Sequence, residues 1–180
     1  MSTQYEWSGL FSVKGLVAQN PDRSPSDSGH GLRPPASESE VGQLEDRLGT
    51  SLPPSYRQFL LFANGWGDEE FGYPLLPAAK VGWLRDLEPE VVEVWSSPQG
   101  AKPWSVPDEL YFVYGAEQDC INLRGEYVPD TLLVGYGDDG EYLLNPHVKT
   151  SDSEWEAWFL APWLPGADRH RSFWDLMKTQ

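Results

Sequence analysis

The chain has 180 residues, of which 39% are hydrophobic, enough for one domain with a stable core. Its 28 acidic residues outnumber 13 Lys and Arg, and the formal net charge of −15 argues against binding to nucleic acid or to an anionic membrane surface. A single cysteine excludes an internal disulfide.

The first 36 residues divide into two segments. Residues 1–19 contain too many apolar residues for a free tail, so we expect this segment to dock on the domain. It lacks the basic start and continuous apolar run of a signal peptide, and no later stretch is long enough to span a membrane, so we expect a soluble cytoplasmic protein. Residues 20–36 are rich in Pro, Ser, Gly and Asp, which predicts a flexible linker.

Two helices are predicted at the start of the domain, which we place at residues 37–180. Ser37 and Glu40 have the spacing of a capping box, and an apolar stripe of helical period follows them. Pro54 suits the first position of a second helix, and Gly65 suits a left-handed residue at its end. The proline-containing turn between the two helices predicts an αα-hairpin.

The loop after Gly65 combines aromatic side chains with three consecutive acids. In one interpretation Trp66 and Phe71 pack inward, and the acids only keep the protein soluble. In the other, an aromatic anchor rimmed with acids binds a basic protein partner. The candidate partner-binding residues of this loop are Trp66, Asp68, Glu69 and Glu70.

The middle of the chain is less informative. Residues 74–85 predict a short strand followed by a helical turn. Residues 86–108 contain four prolines and resemble an inserted loop, to which we assign no function. The central part of this loop, residues 89–95, fits either a short helix or a strand.

Strand signals dominate the second half of the chain. Residues 110–114, 131–136 and 141–145 are rich in β-branched and aromatic side chains. Residues 137–140, Gly-Asp-Asp-Gly, join the last two of these runs and contain the Asp-Gly pair typical of a tight hairpin. The pattern therefore predicts an antiparallel sheet.

Three acids lie at this hairpin: Asp138, Asp139 and Glu141. The spacing of an EF-hand loop is absent, so we expect solvated turn residues and no metal site. We include these three acids among the candidate partner-binding residues, since they add to the negative field that a basic partner would meet.

The C-terminal stretch is rich in tryptophan and predicts two helices. The first follows a capping-box spacing between Ser153 and Glu156, and the second begins at Ser172. One face of the first helix would carry Trp155, Trp158 and Phe159. We expect both helices to close the core rather than to form a ligand cage.

No pattern of catalytic residues is apparent, and we expect no enzyme activity. Cys120 has no neighbouring histidine in the sequence and suits a buried structural thiol, while His147 and His170 belong to no triad motif. Arg169 lies in a short basic run, Arg-His-Arg, whose side chains are either solvated or paired internally with an acid.

The motifs between residues 38 and 65 resemble those of the SUKH superfamily, also called the Smi/Knr family. The family signature is a helix ending in Leu-Gly, then Leu-Pro, a Tyr, a Phe-Leu pair and Asn-Gly. The matching residues are Leu48-Gly49, Leu52-Pro53, Tyr56, Phe59-Leu60 and Asn64-Gly65. Residues 114–119, 143–146 and 154–158 also resemble the bacterial immunity-type branch of the family.

The resemblance implies a single α+β domain with an antiparallel or mixed sheet packed against helices. Bacterial members are commonly immunity proteins that bind and neutralise toxin domains, often nucleases, so the resemblance implies a basic toxin domain as partner. Fungal relatives regulate cell-wall synthesis and signalling, which implies an intracellular adaptor without a toxin partner as the alternative. The family has no agreed catalytic residues and implies no cofactor.

Overall fold

The computed structural model describes residues 5–13, 31–68, 72–96 and 106–180, and it has the predicted α+β fold. Its helices and strands fall into two units, Met1–Val81 and Gly82–Gln180. The rest of the N-terminal segment and most of the predicted linker lie outside the described residues, so the predicted boundaries of these segments stay predictions.

In the described residues of the first unit, three helices accompany a strand pair. The helices are α1 (Trp7–Val13), α2 (Glu38–Leu48) and α3 (Pro54–Phe62). The predicted capping box of α2 is confirmed, because the amide of Glu40 donates to Ser37 Oγ at 3.2 Å and Ser37 donates its own amide to the Glu40 carboxylate at 2.7 Å.

Aromatic packing joins α1 to α3 in this unit. The ring of Trp7 meets Phe59 edge-on at 5.3 Å, and Phe11 stacks on Phe62 at 6.1 Å. Trp7, Phe11 and Phe59 are all buried. The predicted αα-hairpin is tied at its rim by Arg57 of α3, which contacts Glu38 of α2 at 2.7 Å.

A short antiparallel pair follows α3 in the chain. It consists of β1 (Trp66–Asp68) and β2 (Gly72–Leu75). Helix α3 ends at Phe62, and Gly65 has the predicted positive φ of 87° three residues later. A Cβ at Gly65 would lie 2.6 Å from the carbonyl oxygen of Leu75, so glycine also permits the close approach of these backbone segments.

The second unit contains an antiparallel sheet. Its strands pair in the order β3–β4–β5–β6–β7. They span Gly82–Trp83, Leu132–Gly137, Gly140–Lys149, Trp155–Leu160 and Ala167–His170. All six residues of β6 are buried, because β5 and β7 flank it and a helix packs on it.

Among the described residues of this unit, four α-helices accompany the sheet. They are α4 (Leu84–Leu87), α5 (Pro89–Ser96), α6 (Asp108–Tyr111) and α7 (Phe173–Thr179). Helix α5 settles the open choice for residues 89–95 in favour of a helix. The predicted start of the last helix is confirmed, since Ser172 Oγ accepts the amide of Asp175 at 3.1 Å. Its buried face packs on β6 and β7.

The prediction of a strand at residues 110–114 is wrong. Tyr111 ends the short helix α6, and Phe112 to Tyr114 lie outside any strand. The hydroxyls of Tyr111 and Tyr114 both donate to the buried Glu156, at 2.6 and 2.7 Å. These specific bonds outweigh a β propensity that depends on having a strand neighbour.

The prediction of a helix beginning at Ser153 is also wrong, because residues 155–160 form strand β6. Ser153 has φ of +66°, whereas a helix N-cap is extended. Since both faces of β6 are buried, its side chains show no polar alternation. A short, mostly apolar run whose one acid, Glu156, is also buried cannot be assigned to a helix or a strand by periodicity.

The β4–β5 hairpin brings the start of β5 against the end of β6. A Cβ at Gly140 would lie 2.5 Å from the carbonyl oxygen of Leu160, so Gly140→Ala forces a backbone shift. We expect it to lower the free energy of unfolding by about 1–3 kcal/mol. Gly42→Ala in α2, where a Cβ meets nothing within 4 Å, is the control and should raise stability slightly. Urea unfolding measures both, and equal effects would contradict this expectation.

Candidate protein-binding surface

The tip of the β4–β5 hairpin exposes two acids on a tight turn. Asp138 and Asp139 have φ of 46° and 60°, the two positive values that a type I′ turn requires. The sequence signal had pointed to the Asp-Gly pair, but Gly140 already belongs to β5. Aspartate tolerates this left-handed conformation better than most residues, and both side chains are exposed to solvent.

Trp163 supplies an aromatic side chain beside this turn. Its indole Nε1 donates to the carbonyl oxygen of Asp138 at 2.9 Å, and its ring lies 5.8 Å from that of Phe159. It nevertheless remains 56% exposed. A large aromatic residue that is anchored but exposed is the type of residue that dominates protein interfaces.

A second exposed aromatic residue links the hairpin to the end of α4. The hydroxyl of Tyr136 donates to Glu88 at 2.8 Å, and the ring stays 37% exposed. Burial, helped by this bond, raises the pKa of Tyr136 above its usual range, so the phenol stays protonated at neutral pH.

Glu141 pairs with Tyr136 across the hairpin and lies near Glu88. Partial burial, and then the negative charge of Glu88, raise the pKa of Glu141 from 4.5 to about 7. A cationic side chain from a partner would relieve this repulsion. We call this set of residues the hairpin surface: Glu88, Tyr136, Asp138, Asp139, Glu141 and Trp163.

The raised pKa of Glu141 makes stability depend on pH. The folded state holds the proton between pH 4.5 and about 7 while the unfolded state releases it, so stability falls as the pH rises through this window. Glu141→Gln should remove that decline and, after discounting for solvent screening, raise the free energy of unfolding at pH 8 by about 1 kcal/mol. Urea unfolding from pH 4 to 8 measures it. The exposed Glu126→Gln is the control, and an unchanged pH profile in Glu141→Gln would contradict the assignment.

The structure places the other predicted partner-binding residues in the first unit. Trp66 lies in β1, is half-buried and forms a backbone bridge with Leu32. Asp68 ends β1, but its side chain is outside the described part of the structure, as are Glu69 and Glu70. Their role stays a prediction. Sequence reasoning missed Glu88, Tyr136 and Trp163; the only signal for Trp163 was its position in a loop between two prolines.

A second group of polar side chains is buried in the second unit. The Glu156 carboxylate accepts hydrogen bonds from Trp158 Nε1 at 2.7 Å and from Asn145 Nδ2 at 3.0 Å, besides those from the two tyrosines. Arg169, which is fully buried, lies 3.5 Å from it. We call this set the Glu156 cluster: Tyr111, Tyr114, Asn145, Glu156, Trp158 and Arg169. Of the two interpretations of Arg169, a solvated side chain or an internal ion pair, the structure confirms the ion pair, with Glu156 as the acid.

The two tyrosines of the Glu156 cluster stay protonated at neutral pH. Burial first, and then the charge of Glu156, raise the pKa values of Tyr111 and Tyr114 above the usual range, so both phenols act as donors at neutral pH. The arrangement is that of a structural ion pair in which the carboxylate is fully hydrogen-bonded, while Nε of Arg169 is buried without a hydrogen-bond partner among the described residues.

In the described part of the chain, His147 and His170 each make a local contact with a different carboxylate. His147 stacks on Tyr127 and contacts Asp130 at 3.0 Å, while His170 contacts Asp168 at 3.2 Å and lowers the pKa of that carboxyl. Cys120 is half-buried rather than buried as expected. Within the described ranges, no group of three His, Cys, Asp or Glu could hold a metal ion.

Comparison with known proteins supports the resemblance found in the sequence. The family model of SMI1/KNR4 (SUKH-1) matches residues 35–176, a range that includes the hairpin surface and the Glu156 cluster. No individually curated protein matched the chain. Of the helices described, none has the length and apolar character needed to cross a bilayer.

Proposed function

The chain belongs to the SMI1/KNR4 family (SUKH-1), and from this premise we propose that it is a non-catalytic intracellular protein-binding domain. Among the family's bacterial members, it acts as an immunity protein that binds and neutralises a toxin. The partner is a basic protein domain, such as a nuclease whose own site binds phosphates. No cofactor takes part.

Support for this function comes from the hairpin surface. Exposed Trp163 contacts the backbone of Asp138 at the turn, and exposed Tyr136 contacts Glu88 and pairs with Glu141. The pKa of Glu141 is raised first by burial and then by the negative charge of Glu88. When a partner covers an exposed aromatic side chain, that contact adds affinity. The nearby acids speed the encounter with a basic partner. The net charge of −15 extends that field over the whole chain.

The experiment combines growth rescue with binding. Each toxin domain encoded beside the gene is expressed with and without this protein, and complex formation is measured by size-exclusion chromatography. We expect one toxin to be neutralised and to co-elute with the protein. Failure of both tests with every neighbouring toxin domain would remove the immunity role, and capture of one resident basic protein would instead support the adaptor role.

Catalysis is tested in the same assay. Single alanine substitutions at Cys120, His147 and His170 should leave growth rescue intact, because these residues take no part in the hairpin surface. Loss of rescue by a variant that still folds and binds the toxin would show that the protein acts by chemistry.

A further inference from the structure

A pocket of about 190 Å³ opens beside the Glu156 cluster, within the second unit. Its walls include the half-exposed ring of Phe112, the ring of Tyr114 and the end of β5. Two cationic side chains, Lys149 and Arg171, line it as well. Pockets that enclose drug-sized ligands measure about 300–1,000 Å³, so this pocket suits a smaller group.

Both cations keep their hydrogen-bond donors available. Lys149 lies over the ring of Trp155 at 5.3 Å, and Arg171 lies over the ring of Tyr114 at 5.2 Å. A contact with a ring face orients a cation without using its N–H groups. Neither side chain forms a salt bridge with a carboxylate among the described residues, and both are exposed.

The acid at the floor of the pocket does not cancel these charges. The carboxylate of Glu156 is only 1% exposed and already accepts four hydrogen bonds besides its contact with Arg169. Its charge is thereby offset within the cluster, and the pocket keeps a local excess of positive charge. At physiological salt the Debye length is about 8 Å, so more distant acids of the chain are largely screened from it.

We propose that this pocket binds the oxyanion of a small organic ligand, a carboxylate or a phosphate monoester. The oxyanion accepts hydrogen bonds from Lys149 and Arg171, and a small apolar part of the ligand packs against Phe112 and Tyr114. This site shares no residue with the hairpin surface, and the inference does not depend on the proposed function.

The test is an NMR titration of the full chain with phenyl phosphate and with benzoate, which together distinguish the two oxyanions. Benzyl alcohol, a neutral compound of similar shape, is the ligand control. We expect saturable shifts of the backbone amides of Tyr114, Lys149 and Arg171 with at least one of the two anions. The neutral compound should bind at least about tenfold more weakly, since each charge-assisted hydrogen bond is worth about 1.5–3 kcal/mol.

A matched pair of double variants tests the residues. Lys149→Gln/Arg171→Gln removes both cations of the pocket, and we expect it to weaken anion binding by at least about tenfold. Lys178→Gln/Arg85→Gln removes a lysine and an arginine that also lie over aromatic rings, at 5.8 and 5.4 Å, but outside the pocket. The control should bind as the unchanged protein does. Absence of saturable shifts with both anions, or equal weakening in the two variants, would overturn the proposal.

Discussion

Replacing Glu156 with leucine is expected to lower the free energy of unfolding by about 3–5 kcal/mol, the largest effect foreseen for a single substitution. Leucine leaves the fully buried Arg169 without its carboxylate and deprives four further donors of their acceptor. Burying an unpaired charge and unsatisfied donors costs far more than the ion pair itself contributes. Urea unfolding followed by tryptophan fluorescence and circular dichroism measures the loss.

Two further variants of this cluster separate the effect of charge from that of shape, and a third, at an exposed position, is the control. Glu156→Gln keeps one acceptor oxygen and should cost less than Glu156→Leu. Glu126→Leu, at an exposed position, should change stability by no more than about 0.5 kcal/mol. Arg169→Met combined with Glu156→Leu should cost less than the sum of the two single changes, because the unpaired charge is gone. A loss below about 1 kcal/mol in Glu156→Leu would contradict a buried ion pair.

Helices α2 and α3 could be predicted because their signals are local. A capping box needs only Ser37 and Glu40, and a helix start needs only Pro54 at its first position. The β4–β5 hairpin was predictable for the same reason, since a two-residue turn admits few residue types. In each case the deciding interaction spans a few residues of the chain.

The errors fall where distant residues decide the structure. Ser153 and Glu156 have the spacing of a capping box, yet the Glu156 carboxylate binds Tyr111, which is 45 positions away in the sequence. That bond is one of those that hold residues 155–160 as a buried strand and residues 108–111 as a helix. Sequence spacing contains no information on such a pairing, so one missing contact produced both errors.

In the candidate site as well, residues presented by local motifs were predicted, and residues positioned by distant contacts were not. The acids of the hairpin were identified because the turn that presents them is a local motif. Glu88 was not identified, because its bond to Tyr136 spans 48 positions and depends on how α4 meets the sheet. The exposure of Trp163 likewise depends on tertiary structure, since a tryptophan-rich stretch is by default assigned to the core.

Neutralising the hairpin acids is expected to slow association with the captured toxin domain by about tenfold or more at low ionic strength. The variant is Asp138→Asn/Asp139→Asn/Glu141→Gln, in which asparagine tolerates the positive φ of the turn, so the fold is kept. The control, Glu117→Gln/Glu126→Gln/Asp152→Asn, removes the same formal charge from exposed positions elsewhere in the second unit. Stopped-flow association between 20 and 500 mM salt should show a flatter salt dependence for the hairpin variant than for the control.

Trp163→Ala completes this test, because it removes the aromatic contact and keeps the negative charges around it. Loss of the exposed indole should raise the dissociation rate by about tenfold while leaving the association rate nearly unchanged, as expected for a central aromatic contact whose truncation costs at least about 1–2 kcal/mol. The hydrogen bond from Trp163 to Asp138 is also lost, so the thermal unfolding of each variant is measured alongside.

If the control triple variant slows association as much as the hairpin variant does, the association rate depends only on the net charge of the protein. If Trp163→Ala also leaves dissociation unchanged, the partner binds another surface, and the acidic residues from Trp66 to Glu70 become the next to test.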